Sequence, residues 1–295
     1  MDSPGTRFRQ AVHQERPLQI VGTINAYSAL LAERSGFRAI YLSGAGVANA
    51  AFGLPDLGMT SLTEVCEEAR RITSACKLPL LVDIDTGWGD ALGIERTVRE
   101  ITGAGVAAVH MEDQVAQKRC GHRPGKALVD TAEMGDRISA ATQARPDPTL
   151  VVMARTDAIA IEGLDAAIAR AQSYVDAGAD MIFAEAMTSP DQMKQFSQSV
   201  NVPILANMTE FGQTPLMSVD QLRECGISLA LYPLSAFRAM SLAAIRVYDT
   251  IRQHGTQQSM VDQMQTRQDL YDVLKYLEVE KKIDQLLSTT NKGKS

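Results

Sequence analysis

The sequence predicts an α/β fold of the TIM type, a closed (β/α)8 barrel. Two observations carry that expectation: about eight short apolar runs alternate with longer stretches of helical spacing, and glycine recurs just before the next run. The runs span 18–25, 37–44, 78–85, 106–113, 149–156, 179–186, 202–209 and 227–234. Each is apolar nearly throughout, as a strand of a parallel sheet must be when helices cover both of its faces. Between the second and third runs, Leu62, Val65, Ala69 and Ile72 fall on one helical face. Between the fifth and sixth, Leu164, Ile168, Ala171 and Val175 do the same. Gly36, Gly105, Gly178 and Gly226 stand where a helix ends, because glycine takes the left-handed C′ conformation at little cost. A count of eight units selects a closed barrel. A doubly wound open sheet is the alternative, but the first βα turn lacks the GxGxxG fingerprint.

Two segments depart from the repeat. Residues 111–131 form a long, charged connection after the fourth run, and long loops in compact domains are usually functional. After the eighth unit, about 259–287 reads as an amphipathic helical extension with Val261, Met264, Val273, Leu274 and Leu277 as its apolar positions. That face needs a partner surface. The chain as a whole, 1–295, is expected to be one barrel domain carrying this extension, with no linker or second domain.

Composition narrows the class. Apolar residues make up 45 % and charged residues 22 % of the chain, as in ordinary globular proteins. A net charge of −6 argues against a nucleic-acid partner, yet a local basic pocket can still take an anion. The amino terminus has no apolar signal-like core, and no run of about 18 apolar residues exists to span a bilayer. Cys66, Cys76, Cys120 and Cys225 form no CxxC pair and read as reduced thiols. A cytoplasmic enzyme acting on a small molecule is the expectation.

In such barrels the site lies at the C-terminal ends of the strands. Here those ends read Ser43-Gly44-Ala45-Gly46, Asp83-Ile84-Asp85, His110-Met111-Glu112-Asp113, Arg155-Thr156-Asp157, Glu185 and Asn207-Met208-Thr209. Strand-end polar residues can merely cap helices, but six such ends converging on one mouth point to chemistry. Asp83 and Asp85, two apart on a strand, should point the same way. Paired carboxylates repel unless a cation neutralises them, and all-oxygen donors, with Glu112 and Glu185 nearby, suit Mg²⁺, with Mn²⁺ possible. Zinc is disfavoured by only four histidines without ligand spacing. The plain alternative is an ion pair of the aspartates with Arg155.

The stretch Lys118-Arg119-Cys120-Gly121-His122-Arg123-Pro124-Gly125-Lys126 is the most informative. Positive neighbours favour proton transfer by a thiol, and the cations suit a carboxylate-rich substrate. The remaining cysteines read as packing residues. No lysine stands at a strand end for Schiff-base chemistry, and GxSxG is absent. Ser43–Gly46 reads either as a backbone anion nest or as a tight turn.

Lys118-Arg119-Cys120-Gly121-His122 resembles the signature loop of the isocitrate lyase / phosphoenolpyruvate mutase superfamily, and the resemblance runs from about Phe8 to Leu287. Phosphoenolpyruvate mutases and phosphonate hydrolases lack the loop cysteine. Isocitrate lyases are longer and typically read KKCGH. With GLPDLG (53–58), MARTDA (153–158), LANMTEFG (205–212) and LYPLSAFRAM (231–240), the chain is similar to the branch that cleaves 2-methylisocitrate to pyruvate and succinate in propionate catabolism. The resemblance implies Mg²⁺ on Asp83 and Asp85, with Asp56 and Glu112 in indirect support. It implies carboxylate binding by Ser43, Gly44 and Ala45, the last a departure from glycine in a backbone contact. Arg155 and Glu185 would meet the hydroxy-acid end. Gly121, Asn207, Met208, Thr209, Arg238 and Arg267 would bind the succinate end. Cys120 would be the general acid. The base is left open among Tyr41, Glu112 and Glu185. A homotetramer with C-terminal helices swapped between subunits is also implied. Alternatives are a lyase acting on isocitrate or on another 2-hydroxy diacid such as dimethylmalate, phosphonate C–P chemistry, and a barrel that only binds or assembles.

Overall fold

The computed structural model describes residues 2–292 and divides the chain into two compact units, Met1–Arg238 and Ala239–Ser295. In the first unit eight parallel strands close into a barrel in sequence order. They are β1 (Leu18–Gly22), β2 (Ala39–Leu42), β3 (Leu80–Asp83), β4 (Ala108–Glu112), β5 (Val151–Thr156), β6 (Met181–Ala184), β7 (Ile204–Asn207) and β8 (Leu229–Tyr232), with β8 pairing back onto β1. Each lies inside one of the expected runs. Residues left at the C-terminal ends of several runs, Ser43, Glu185, Thr209, Pro233 and Leu234 among them, line the mouth.

Alternation along the strands sorts side chains into two layers. One parity, with Ile20, Tyr41, Leu81, Val151, Met153, Phe183, Leu205 and Leu231, fills the barrel lumen. The other, with Ile40, Val82, Val109, Val152, Ile182 and Ile204, packs outward against the helices. The helix Pro4–Gln14 closes the N-terminal end, where its Phe8, Ala11 and Val12 join the lumen cluster. Ser3 caps that helix by accepting from the Thr6 amide, and Pro4 at the first turn loses no hydrogen bond there. The expected helical faces appear as Leu62–Ala75 and Leu164–Asp176, and the four expected glycines all have positive φ, between 76° and 109°.

One local expectation, that Asp83 and Asp85 point the same way, holds by a different backbone path. β3 ends at Asp83, and Asp85 sits beyond it with φ +48°. The two aspartates do not share a strand face by alternation; a left-handed step after Ile84 brings Asp85 back toward Asp83. Such a backbone is uncommon for a residue with a Cβ and tends to occur at functional sites.

The second unit holds residues 239 onward of the helix Ser235–His254, a short 3₁₀ turn Gln258–Gln263, and the helices Arg267–Leu274 and Tyr276–Lys292. Lys275, left-handed at φ +53°, separates the last two, and the Tyr271 and Tyr276 rings stack across it with centroids 4.4 Å apart. Leu242, Ile245, Tyr248, Ile251, Val261 and Leu277 are exposed in this chain. Among the described residues no helix is long and apolar enough to cross a membrane.

Candidate active site

The lumen-facing parity becomes polar at the top of the barrel. Tyr41, Ser43, Asp83, Arg155, Glu185, Asn207 and Thr209 line one mouth, together with Asp56, Lys118, Cys120 and Gly121 from the loops and Arg238. The same alternation turns His110 and Glu112 inward below it, both buried. Apolar Phe183, Leu231, Pro233 and Leu234 complete the wall.

On one side the acidic groups gather. A Cβ at Gly44 would lie 3.2 Å from both Asp83 Oδ2 and Asp85 Oδ1, so the two carboxylates face one small space that only glycine leaves open. Gly44 N–H donates to Asp83 Oδ2 at 3.2 Å. Lys118 Nζ lies 2.6 Å from Asp85 Oδ1 and 2.7 Å from Asp56 Oδ1, and its side chain is buried. That contact reaches Asp85 Oδ1 without a directed hydrogen bond, and both oxygens of Glu112 likewise receive none. Burial pushes Asp83 upward, but the His110 ring, Lys118 and Arg155 outweigh it and hold the group at about 2. Burial pushes His110 itself down to about 4, so near neutrality the ammonium and guanidinium are the cations that act on Asp83. Burial and the neighbouring Asp83 lift Asp85 to about 6 despite Lys118. Negative charge here is incompletely neutralised, which is the condition a bound cation relieves. Among the described residues no three acidic, histidine or cysteine side chains converge at ligand distance. The protein would therefore supply part of a coordination shell and leave the remainder to water and substrate, as Mg²⁺ sites commonly do.

On the other side Arg155 is the hub. Its Nε and Nη2 donate to Asp157 at 3.0 and 3.2 Å. Nη1 lies 3.3 Å from Glu112 and Nη2 3.5 Å from Glu185. The guanidinium also sits 5.1 Å from the centroid of the Phe183 ring. Glu185 accepts from the Ala186 amide at 2.9 Å and from Asn207 Nδ2 at 3.2 Å, and His122 Nε2 lies 3.1 Å away. Gln213 N–H donates to His122 Nδ1 at 3.2 Å, which leaves the proton on Nε2, facing the carboxylate. Burial alone would raise Glu185, but Arg155 first and His122 next hold it at about 2.

This gives a pH prediction. Glu185 falls from 4.5 to about 2 and Asp83 from 3.8 to about 2. The unfolded chain binds more protons in that window, so the stability these groups contribute is present above the ordinary carboxylate range and lost as pH falls toward 2. His110, moved down from 6.5 to about 4, and Asp85, moved up from 3.8 to about 6, act in opposite senses at higher pH and largely offset. A metal-free thermal midpoint should fall most steeply below about pH 4.5, and Glu185→Gln should shallow that limb. An unchanged acid limb in the variant would contradict the assignment.

The loop after β4 reaches back over the mouth. Cys120 is a free, half-buried thiol among the lining residues. Gly121 lies flush on the hub: a Cβ there would come within 2.3 Å of Arg155 Nη2 and 2.7 Å of Glu185 Cγ. Ser43 precedes the helix Gly44–Phe52, so the expected anion nest is the N-terminal turn of a nine-residue helix. Tyr41 Oη lies 2.9 Å from His110 Nε2, and burial with the nearby Asp83 charge pushes the phenol well above its usual value. Burial also lifts Glu112 well above the carboxylate range despite Arg155.

One expected contact turns away from the mouth, and another belongs to the second unit. Met208 alternates with Asn207 and Thr209, so its side chain turns into the outer cluster and does not line the mouth. Arg267 opens a helix of the second unit with its side chain exposed. Arg238 lines the mouth with its guanidinium 5.6 Å from the Phe211 ring centroid and 3.7 Å from Glu210. No roles for His110, Asp157, Gln114 and Lys126 were legible from their residue types. Asp157 and His110 stood at quoted strand ends, so their positions were a usable signal.

A barrel with paired aspartates, a buried arginine hub and a cysteine-bearing loop at its C-terminal mouth defines a class, and the chain belongs to the phosphoenolpyruvate phosphomutase family, whose model matches residues 8–252. Within it, the chain is 61 % identical over 286 residues to the 2-methylisocitrate lyase of Shewanella oneidensis, covering 97 % of this chain and 98 % of that one. The solved structure of 2,3-dimethylmalate lyase matches with a TM-score of 0.89 and 35 % identity, covering 97 % of this chain and 96 % of the other. Phosphonopyruvate hydrolase, solved with oxalate and Mg²⁺, matches with a TM-score of 0.83 and 30 % identity over 95 % and 97 % of the two chains.

Proposed function

We propose that this chain is a carbon–carbon lyase that cleaves 2-methylisocitrate to pyruvate and succinate, the step its resemblance assigns to propionate catabolism. The observation that carries the reading is Cys120, a free thiol at the same mouth as Asp83, Arg155 and Glu185. A divalent metal fits the open space at Gly44 and the incompletely satisfied oxygens of Asp85 and Glu112. Mg²⁺, or Mn²⁺ in its place, suits the all-oxygen donor set: Asp83 and Asp85 would hold it, with Asp56 and Glu112 behind them. When bound, the ion supplies Lewis-acid polarisation of the substrate hydroxyl and its neighbouring carboxylate.

The chain's own residues perform the remainder. The N-terminal turn at Ser43, Gly44 and Ala45 receives the carboxylate of the part that becomes pyruvate. Of the three candidate bases, Glu185 is too weak at about 2 and the Tyr41 phenol is held protonated. Glu112, raised by burial and 3.3 Å from Arg155, is the remaining candidate to take the hydroxyl proton. The hydroxyl oxygen becomes the ketone of pyruvate, the adjacent C–C bond breaks, and its electron pair passes into the carboxylate of the leaving succinate. Asn207, Thr209 and Arg238 stabilise that developing charge, with Arg267 as a further contact expected from the resemblance. Cys120 then delivers a proton to carbon. The exposed apolar residues of the second unit, Leu242, Ile245, Tyr248 and Ile251 among them, call for a covering partner, and a helix-exchanged homotetramer is the proposed assembly. A solution mass of one chain would contradict it.

The test of the activity is pyruvate release from 2-methylisocitrate, isocitrate, 2,3-dimethylmalate and phosphonopyruvate. A pocket wall that accepts one extra methyl discriminates by about 10–200-fold in kcat/KM, so 2-methylisocitrate should lead isocitrate by that factor. Preference for dimethylmalate would move the chain to the neighbouring lyase activity, and turnover of phosphonopyruvate alone would overturn the C–C reading.

A further inference from the structure

The loop that carries Cys120 is fastened by groups the reaction does not use. Lys126, at its far end, has a side chain only 3 % exposed and donates to Asp157 Oδ1 at 2.8 Å. The same ammonium donates to the Gly121 carbonyl. Asp157 is fully buried and receives Arg155 through its two other short contacts, so one carboxylate joins the loop to the hub of the site. At the near end Gln114, also fully buried, pairs with the Arg119 backbone in both directions at 2.9 Å. Its amide stands 3.4 Å from Asp157 Oδ2. The carbonyls on either side of Cys120, those of Arg119 and Gly121, are therefore both tied down. The thiol's own carbonyl accepts the Arg123 amide at 2.9 Å.

We propose that Lys126 is a positioning residue whose buried ion pair with Asp157 latches the loop 118–126 onto Arg155 and so places the Cys120 thiol. The physical logic is reversibility. A buried ion pair costs nearly as much desolvation as it returns in attraction, so the closed loop is favoured only modestly. With the loop lifted, Lys126 returns to water and Asp157 keeps Arg155, so opening leaves no orphaned charge. An apolar clasp of equal area would hold the lid without that easy release. A rigid anchor at Gly121 matters because the glycine backbone rests directly on Arg155 and Glu185.

The catalytic part of this inference rests on the lyase reading, but its first test does not. Lys126→Met keeps the stem and removes the charge. In the substrate-free protein, alkylation of Cys120 by iodoacetamide, followed by peptide mass spectrometry, should become about tenfold faster, because local opening is less costly. Buried Cys66, Cys76 and Cys225 serve as internal controls and should keep their slow rates. In turnover, kcat should fall by about 10²-fold, the size expected for a misplaced catalytic group, with a smaller change in KM. Ethylammonium or propylammonium should restore part of the loss in Lys126→Ala. Unchanged Cys120 alkylation in Lys126→Met would overturn the latch, as would a rise shared by all four cysteines, which would mark general loosening. If the wild-type protein releases no pyruvate, the lyase reading fails, while the alkylation result still decides the latch.

Discussion

Replacing Cys120 by serine should lower turnover by about 10²–10⁴-fold while the barrel stays folded and still binds metal. The side chain keeps nearly its size, and the half-buried position at the mouth leaves the hydroxyl within reach of water and polar neighbours. What changes is the acid: a hydroxyl gives up its proton far less readily than a thiol. Protonation of carbon would then become slow, and kcat should carry most of the loss with little change in KM. The same substitution at Cys66, Cys76 or Cys225 should affect stability at most, because those thiols are buried in the helix layer and burial holds each of them protonated. Alkylation should inactivate the enzyme through Cys120 first, and pyruvate with succinate should slow it by holding the loop down. Near-normal turnover of Cys120→Ser would remove the acid role and with it the most specific support for the lyase reading.

Removing divalent metal should abolish turnover to a comparable or greater extent, and Mg²⁺ or Mn²⁺ should restore it. Two carboxylates share the space that Gly44 leaves open, and Asp85 is lifted toward neutral pH by burial and by Asp83. A cation held by these carboxylates would stabilise the folded state by mass action, so Mg²⁺ at about 100 times its dissociation constant should add about 2.7 kcal/mol. A rise in thermal midpoint on adding Mg²⁺ measures this without substrate. Asp85→Asn should lose both the rise and the activity. Gly44→Ala, which puts a methyl into the same space, should weaken both. Full turnover after exhaustive chelation, or an equal midpoint shift in Asp85→Asn, would sink the metal assignment.

Much of this protein was legible in its sequence, because much of it is decided locally. Strand runs announce themselves through continuous apolarity, helices through a period near 3.6, and helix ends through glycines that tolerate positive φ. Eight repeats of that unit leave few ways to satisfy every sheet edge, so barrel closure followed from counting. The site was legible for a related reason: strands of one direction deliver their last residues to one end. The Lys118–Lys126 loop stood out because a thiol among so many cations has no packing role.

Tertiary structure decided what depends on register and on contacts between distant segments. Asp85 reaches Asp83 through a left-handed backbone step that the alternation of a strand does not encode. Met208 faces outward because β7 enters the barrel in one register, and a single residue's shift would have exchanged it with its neighbours. Lys118 and Lys126 look alike in the sequence, two cations on one loop. Folding sends the first to Asp56 and Asp85 and the second to Asp157, partners 62, 33 and 31 residues away along the chain. No local period encodes those pairings. They arise because closing the barrel brings strand ends within a few ångströms of one another, where burial makes each charge's choice of partner decisive.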